Sequence, residues 1–162
     1  MGSVVTIVTT DFKALYAYKR GDYQRCLQLS TQNVHTLLDA DDMSDVPIFP
    51  EFIQLFDDDI VSLTALMLMV NPQCRGHHPG YAFISQLTLS LYLTTQCQLK
   101  LHHSVTSLAQ TLHYIKVAQR KYSADDTLDQ LTLKLMERKV VTYLSTLLTK
   151  TKPVTVMTLH VC

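Results

Sequence analysis

The residues best suited to chemistry stand close together in one stretch, where Cys74 is followed by His77 and His78. Thiolate sulfur and imidazole nitrogen are common zinc ligands, so these residues could supply three ligands, with Cys97 or His102 as a fourth. A thiol beside two imidazoles could also act as a nucleophile, since an imidazole can remove its proton. No Cys-x-x-Cys partner and no acidic base stand at a fixed offset from them. We therefore expect a solvated polar loop, no bound metal and no catalytic residue, and keep a metal- or thiol-dependent enzyme as the second alternative.

The remaining reactive side chains have simpler structural explanations. Cys26 and Cys97 fall among apolar helix positions, where a free cysteine behaves as a small core residue. His102 and His103 follow a predicted helix, where an imidazole can bond the last carbonyls. The acidic run at residues 57–59 precedes an apolar helix and suits its N-terminus. No Gly-rich phosphate loop is present, so the sequence predicts no cofactor.

Composition narrows the class of protein. The chain has 162 residues, 47% of them apolar and 17% charged, which suits one folded domain with a real core. Lys plus Arg and Asp plus Glu both number 14, and a neutral chain lacks the basic field that a nucleic-acid binder needs. The charge is uneven: residues 26–99 hold eight acidic residues and one basic, and residues 100–162 hold four acidic and nine basic. Such a dipolar chain could bind basic segments at one end and acidic segments at the other.

The chain ends suggest one alternative function. Gly2 and Thr6 fit the myristoylation pattern, which makes a membrane-associated adaptor the first alternative. An ordinary start codon explains the same residues, no polybasic cluster follows them, and a single myristoyl chain binds membranes only marginally. No secretory signal is recognisable, so we expect an intracellular, cytoplasmic protein. We divide the chain into an extension at 1–9, one helical domain at 10–150 and a tail at 151–162.

Helices are predicted throughout the domain because the chain has only 4 glycines and 5 prolines, too few for the frequent turns of a β-sandwich. Leu87, Leu89, Leu91 and Leu93 alternate with polar residues as in a strand, but the length of the segment favours a helix. Thr10 or Asp11 is the expected cap of the first helix, and Ser104 is the expected cap of the helix that follows the leucine-rich segment. The helix at 60–70 is apolar nearly all round, so it is expected to be the central one. The predicted helices cover residues 11–20, 23–38, 49–56, 60–70, 81–101, 105–122 and, after a capping sequence at 123–126, about 127–148.

Residues 14–27 read Ala-Leu-Tyr-Ala-Tyr-Lys-Arg-Gly-Asp-Tyr-Gln-Arg-Cys-Leu. Small residues at Ala14 and Cys26 let two helices approach, Gly21 turns the chain, and the Tyr23 ring fills the gap beside the first helix. This pattern resembles the middle of a tetratricopeptide repeat, over residues 10–38. The segment departs from the family at three positions, which are Thr10, Asn33 and Leu38.

The resemblance implies an all-α fold of antiparallel helical hairpins, either a short solenoid or an irregular bundle. It also implies a non-catalytic protein–protein interaction module that binds a peptide or helix of another protein. In a matching repeat the concave face would present Asp11, Leu15, Tyr18 and Lys19, which we take as the expected partner-binding residues.

Overall fold

The computed structural model describes residues 4–39, 47–48, 58–59, 61–63, 65, 84–122 and 127–151. Helices dominate these ranges, which confirms the predicted all-α class. The one strand pairing within them joins two-residue segments, β1 (Pro47–Ile48) and β2 (Ile84–Ser85), in antiparallel register. The helices with complete bounds are α1 (Val4–Lys19), α2 (Tyr23–Asp39), α3 (Gln86–Lys100), α4 (Val105–Lys121) and α5 (Thr127–Lys150).

The first helix begins earlier than the sequence predicted. α1 starts at Val4 and not at residue 11, so residues 4–9 are helical. Asp11 was expected near the helix start, as a cap, yet it lies inside α1 with only 4% of its surface exposed. Its carboxylate bonds side chains of other helices, and this tertiary contact explains an acidic residue that resembled a local cap.

The turn between α1 and α2 matches its prediction. Gly21 adopts φ +78°, in the left-handed region that favours glycine. Its N–H donates to the Tyr18 carbonyl at 3.0 Å, and the Asp22 N–H donates to the Ala17 carbonyl at 2.9 Å, the two bonds of a Schellman cap. The Asp22 carboxylate then accepts the Arg25 N–H at 3.2 Å, which caps α2. Three consecutive residues therefore end one helix and begin the next.

Tyr23 packs beside this turn but is half-buried, not enclosed. Its ring meets the Tyr18 ring edge-on at 5.7 Å between centroids, and the Lys100 ammonium lies 5.3 Å from the Tyr23 centroid. The contact with α1 agrees with the sequence interpretation. Because part of the ring reaches solvent, its removal should cost less than the loss of a fully buried aromatic side chain.

We expect Tyr23→Ala to lower the free energy of unfolding by about 1–3 kcal/mol, below the roughly 3–5 kcal/mol of a buried aromatic truncation. Tyr16→Ala is the matched control, since Tyr16 is 63% exposed on the same hairpin and its loss should cost less than about 1 kcal/mol. Urea denaturation of both variants makes the comparison. Equal losses would show that the Tyr23 ring does not hold the hairpin together.

The central helix is α3, which corrects the expectation for residues 60–70. Every residue of α3 from Gln86 to Gln98 is buried, because α1, α2, α4 and α5 all pack against it. Where residues 60–70 are described, Val61 is 41% exposed, Ala65 is exposed and Leu63 is half-buried. The segment with alternating leucines is thus a helix that is buried on all sides, and not a strand with one solvent-exposed face.

Several polar side chains of α3 form hydrogen bonds across the core, whereas the Gln86 amide is buried without a partner among the described residues. The Thr94 hydroxyl donates to Ser30 Oγ of α2 at 3.0 Å, and the Thr111 hydroxyl of α4 donates to Gln98 Oε1 at 2.7 Å. Ser85 caps the helix by accepting the Thr88 N–H at 3.3 Å. These bonds offset the desolvation of hydroxyl and amide groups inside an apolar core. They also tie α3 to its neighbours at fixed positions.

The end of α3 corrects the role expected for His102. His102 has φ +52°, and its N–H donates to the Leu99 carbonyl at 3.3 Å while the His103 N–H donates to the Gln98 carbonyl at 3.0 Å. The backbone therefore caps the helix, again as a Schellman motif. The His102 ring instead lies with Nδ1 3.2 Å from the Tyr143 hydroxyl of α5. The predicted Ser104 cap of α4 is confirmed, since its Oγ accepts the Ser107 N–H at 3.3 Å.

α4 and α5 form the last described hairpin, and polar contacts between the two helices stabilise it. Lys116 of α4 pairs with Glu137 of α5, and Gln119 Nε2 donates to Glu137 at 2.8 Å. Gln130 Nε2 donates to the Tyr122 carbonyl at 2.8 Å. The successive packed hairpins are compatible with a helical repeat. No helix among the described residues is both long enough and apolar enough to cross a bilayer.

Candidate functional site

Most of the expected partner-binding residues lie inside the fold. Asp11, Leu15 and Tyr18 are buried, and Lys19 is exposed. The cause is the packing of α3 across the α1–α2 hairpin, which fills the face that a repeat would offer to a partner. Those three side chains are therefore part of the core and are not exposed to a partner.

Asp11 forms a polar centre between three helices. The Asn33 amide of α2 donates to Asp11 Oδ1 at 2.7 Å, and the Ser90 hydroxyl of α3 donates to the same oxygen at 3.0 Å. The other oxygen, Oδ2, is buried without a hydrogen-bond partner. Burial raises the pKa of Asp11 to about 7, against the opposing effect of the two hydrogen bonds. Ionisation of this carboxyl is thus coupled to the stability of the core.

The candidate metal and thiol residues Cys74, His77 and His78 lie outside the described residues, as does Gly2. In the part of the chain that the structure describes, no group of three His, Cys, Asp or Glu side chains could hold a metal ion. The prediction that Cys26 and Cys97 are core residues is confirmed, since both are fully buried. A hydrogen bond to the Cys97 thiol, together with burial, raises the pKa of Cys26, which disfavours the reactive thiolate.

A groove runs along the outer face of α5. Its first part has a volume of about 570 Å³ between α5 and Leu63. Leu131 and Leu135 are half-buried in it, and Val141 is 45% exposed. The described residues that line this part are Leu63, Leu131, Lys134, Leu135, Glu137, Arg138 and Val141.

The groove continues across α5 toward the end of α3. This second part has a volume of about 490 Å³ and shares Leu135 and Arg138 with the first. Its surface is mostly apolar, since Leu99, Leu135 and Tyr143 contribute to it. The described residues that line it are Leu99, Leu135, Arg138, Lys139, Thr142, Tyr143 and Thr146. We refer to the two parts together as the α5 groove.

Two cations on the rim of the α5 groove have no acidic partner among the described residues. Lys139 pairs with Asp59 and reaches Gln96 Oε1 at 3.3 Å, and Glu137 is engaged by Lys116. The Lys116 ammonium lowers the pKa of Glu137, so that carboxylate stays charged and paired. Lys134 and Arg138 form no ion pair within the described ranges. The groove therefore combines an apolar floor with a positive rim.

Apolar spacing alone would place Leu131 and Leu135 in the core. One signal distinguishes them from core leucines, because each is followed three residues later by a cation, Lys134 and Arg138. Residues three apart share a helix face, so apolar and basic groups alternate along one stripe of α5. A stripe that faced only the core would not carry unpaired charges.

Comparison of the chain with models of protein families, with curated proteins and with solved structures finds no match.

Proposed function

We propose that this chain is a non-catalytic protein-interaction module that binds an acidic amphipathic helix of another protein in the α5 groove. The observation that carries the proposal is the apolar floor at Leu131, Leu135 and Val141 beside Lys134 and Arg138, two cations that form no ion pair with another described residue. The α1–α2 hairpin, with Gly21 and Tyr23 at its turn, supports its assignment as a tetratricopeptide-like unit within this module.

The geometry of the groove favours a helix as the ligand. Leu131 and Leu135 are one helical turn apart, and Val141 lines the same groove further along α5, so the apolar floor runs along the helix. An amphipathic helix places its own apolar residues at i, i+3, i+4 and i+7, and it can lie along such a stripe with matching spacing. Leu131 and Leu135 are already half-buried, so little further desolvation is needed when an apolar side chain of the ligand contacts them.

The charge of the rim favours an acidic ligand. Lys134 and Arg138 would face Glu or Asp side chains on either side of the ligand's apolar stripe. Complementary rim charges raise the association rate and select against basic partners more than they raise affinity. A basic helix would place like charges together, and a neutral helix would leave both cations without a counter-charge.

Selection from a peptide display library tests the proposal without a known partner. Against the wild-type protein we expect peptides with leucine or phenylalanine at helical spacing and acidic residues beside them. Against the Lys134→Glu, Arg138→Glu double variant we expect basic residues in the same places. Acidic peptides should bind this variant at least about tenfold more weakly, since each reversed rim charge costs about 1 kcal/mol.

Arg120→Glu with Lys150→Glu is the matched control, because it reverses two exposed positive charges that do not line the groove. Acidic peptides should bind this control within about twofold of the wild type. The proposal fails if selected peptides lack helical apolar spacing, or if the rim variant selects the same sequences. Concentration-dependent self-association that depends on Leu135 would show that a second copy of this chain fills the groove, and would also overturn it.

A further inference from the structure

A second concave site lies at the opposite hairpin, between the end of α1 and the start of α2. It has a volume of about 490 Å³, within the range of small-molecule sites. Three of its lining side chains are cations, namely Lys13, Arg20 and Arg25, and among the described lining residues the one carboxylate belongs to Asp22. We refer to this site as the turn pocket. The three like charges around this cavity form no ion pair with another described residue that would explain them structurally.

The cations of the turn pocket converge from two helices. Lys13 and Arg20 are seven residues apart on α1, so two helical turns place them on one face. Arg25 approaches from the first turn of α2. Neither Lys13 nor Arg25 forms an ion pair within the described part of the chain. Like charges that line one cavity repel one another, and a bound anion would relieve that repulsion.

Arg20 is held in position by Tyr16. Its Nη1 donates to the Tyr16 hydroxyl at 2.7 Å, and its guanidinium carbon lies 5.3 Å from the Tyr16 ring centroid. These two contacts leave further N–H donors of the guanidinium available in a fixed plane. Such an arginine loses little conformational freedom when it binds an oxyanion bidentately.

The sole carboxylate of the pocket is partly committed elsewhere. Asp22 Oδ1 accepts the Arg25 backbone N–H at 3.2 Å, where it caps α2. The lining side chains therefore carry a net charge of two positive, three cations against one carboxylate. A phosphate monoester carries about −1.5 to −2 at pH 7, which matches this excess. A carboxylate, with a single charge, would leave one cation uncompensated.

We propose that the turn pocket binds a phosphate monoester, with Arg20, Arg25 and Lys13 as its ligands. The volume exceeds what a phosphate group alone would fill, so the group belongs to a larger molecule. That molecule is either a phosphorylated small ligand or a phosphorylated side chain, and both present the same dianion. The site is separate from the α5 groove and does not depend on the function proposed for it.

Isothermal titration of the full chain at constant ionic strength tests the site with three probes: phenyl phosphate, a phosphoserine tripeptide and inorganic phosphate. We expect at least one monoester to bind about tenfold more tightly than inorganic phosphate. The preferred monoester then identifies the source. Its affinity should fall below pH 6, where the phosphate gains its second proton. Inorganic phosphate binding as tightly as both monoesters would overturn the proposal.

Arg25→Gln and Lys13→Gln should each weaken monoester binding by about tenfold or more, because each removes one cation of the pocket. Arg120→Gln is the matched control, since Arg120 is an exposed arginine on α4. Its binding should stay within twofold of the wild type. Thermal melting checks that each variant folds, and two separate substitutions keep the test valid if one does not. Equal losses for control and pocket variants would show only general charge attraction, and would overturn the site.

Discussion

Relative to the Asp11→Asn variant, the wild-type protein should lose about 4 kcal/mol of stability as the pH rises from 4 to 8. The pKa of Asp11 rises from 3.8 to about 7 in the fold, and each pKa unit corresponds to about 1.4 kcal/mol. The cause is burial, since Asp11 is 4% exposed and its Oδ2 has no partner. Asparagine has the shape of the protonated carboxyl and no proton to lose.

The direction follows from proton linkage. Between pH 4 and pH 7 the folded chain keeps the Asp11 proton and the unfolded chain has released it. Stability therefore falls as the pH rises across this window, and the contribution is fully present only below about pH 4. Above pH 7 both states are ionised and the difference becomes constant. Paired carboxylates such as Glu137, whose pKa is lowered, act in the opposite direction in both proteins and cancel in the comparison.

Denaturant unfolding at several pH values measures this difference. Asp39→Asn serves as the control, because Asp39 is exposed at the end of α2 and its substitution should leave the pH profile within about 0.5 kcal/mol of the wild type. If the Asp11→Asn and wild-type profiles run parallel from pH 4 to 8, the carboxyl is not buried as described.

Leu91→Ala should destabilise the protein by about 3–5 kcal/mol. Leu91 is completely buried at the middle of α3, the helix that contacts all the other helices with complete bounds. Truncation removes the transfer free energy of the side chain and leaves a cavity that surrounding helices fill only in part. Leu148→Ala is the control, because Leu148 is 65% exposed near the end of α5 and should change stability by less than about 0.5 kcal/mol. Similar losses in thermal melting would contradict the central position of α3.

Local signals in the sequence predicted several helix ends and caps. The turn at Gly21, the bounds of α2 to within one residue and the cap at Ser104 all depend on neighbouring residues, and all were predicted. The start of α1 was wrong because Asp11 resembled a cap, a pattern that local hydrogen bonding normally explains. Its true partners, Asn33 and Ser90, are 22 and 79 residues away.

Burial was harder to predict than helix formation. The Thr, Ser and Gln residues of α3 alternate with leucines as in a strand, yet they are buried, and partners such as Ser30 and Thr111 satisfy some of them inside the core. Leu131 and Leu135 suggested core, yet both remain half-buried along the groove. In each case the outcome depends on which helix packs against which. Hydrophobic periodicity within one helix does not contain that information.

The most direct test of the central claim is amide chemical-shift mapping of the labelled protein during titration with a synthetic acidic amphipathic helix. The peptide carries leucines at i, i+4 and i+7 with glutamates beside them, to match the floor and rim of the α5 groove. We predict that the largest shift changes fall on residues 131–142 and on Leu63 and Leu99, which line the groove. Shift changes centred on another surface, or none at saturating peptide, would contradict the proposal that the α5 groove is the binding site.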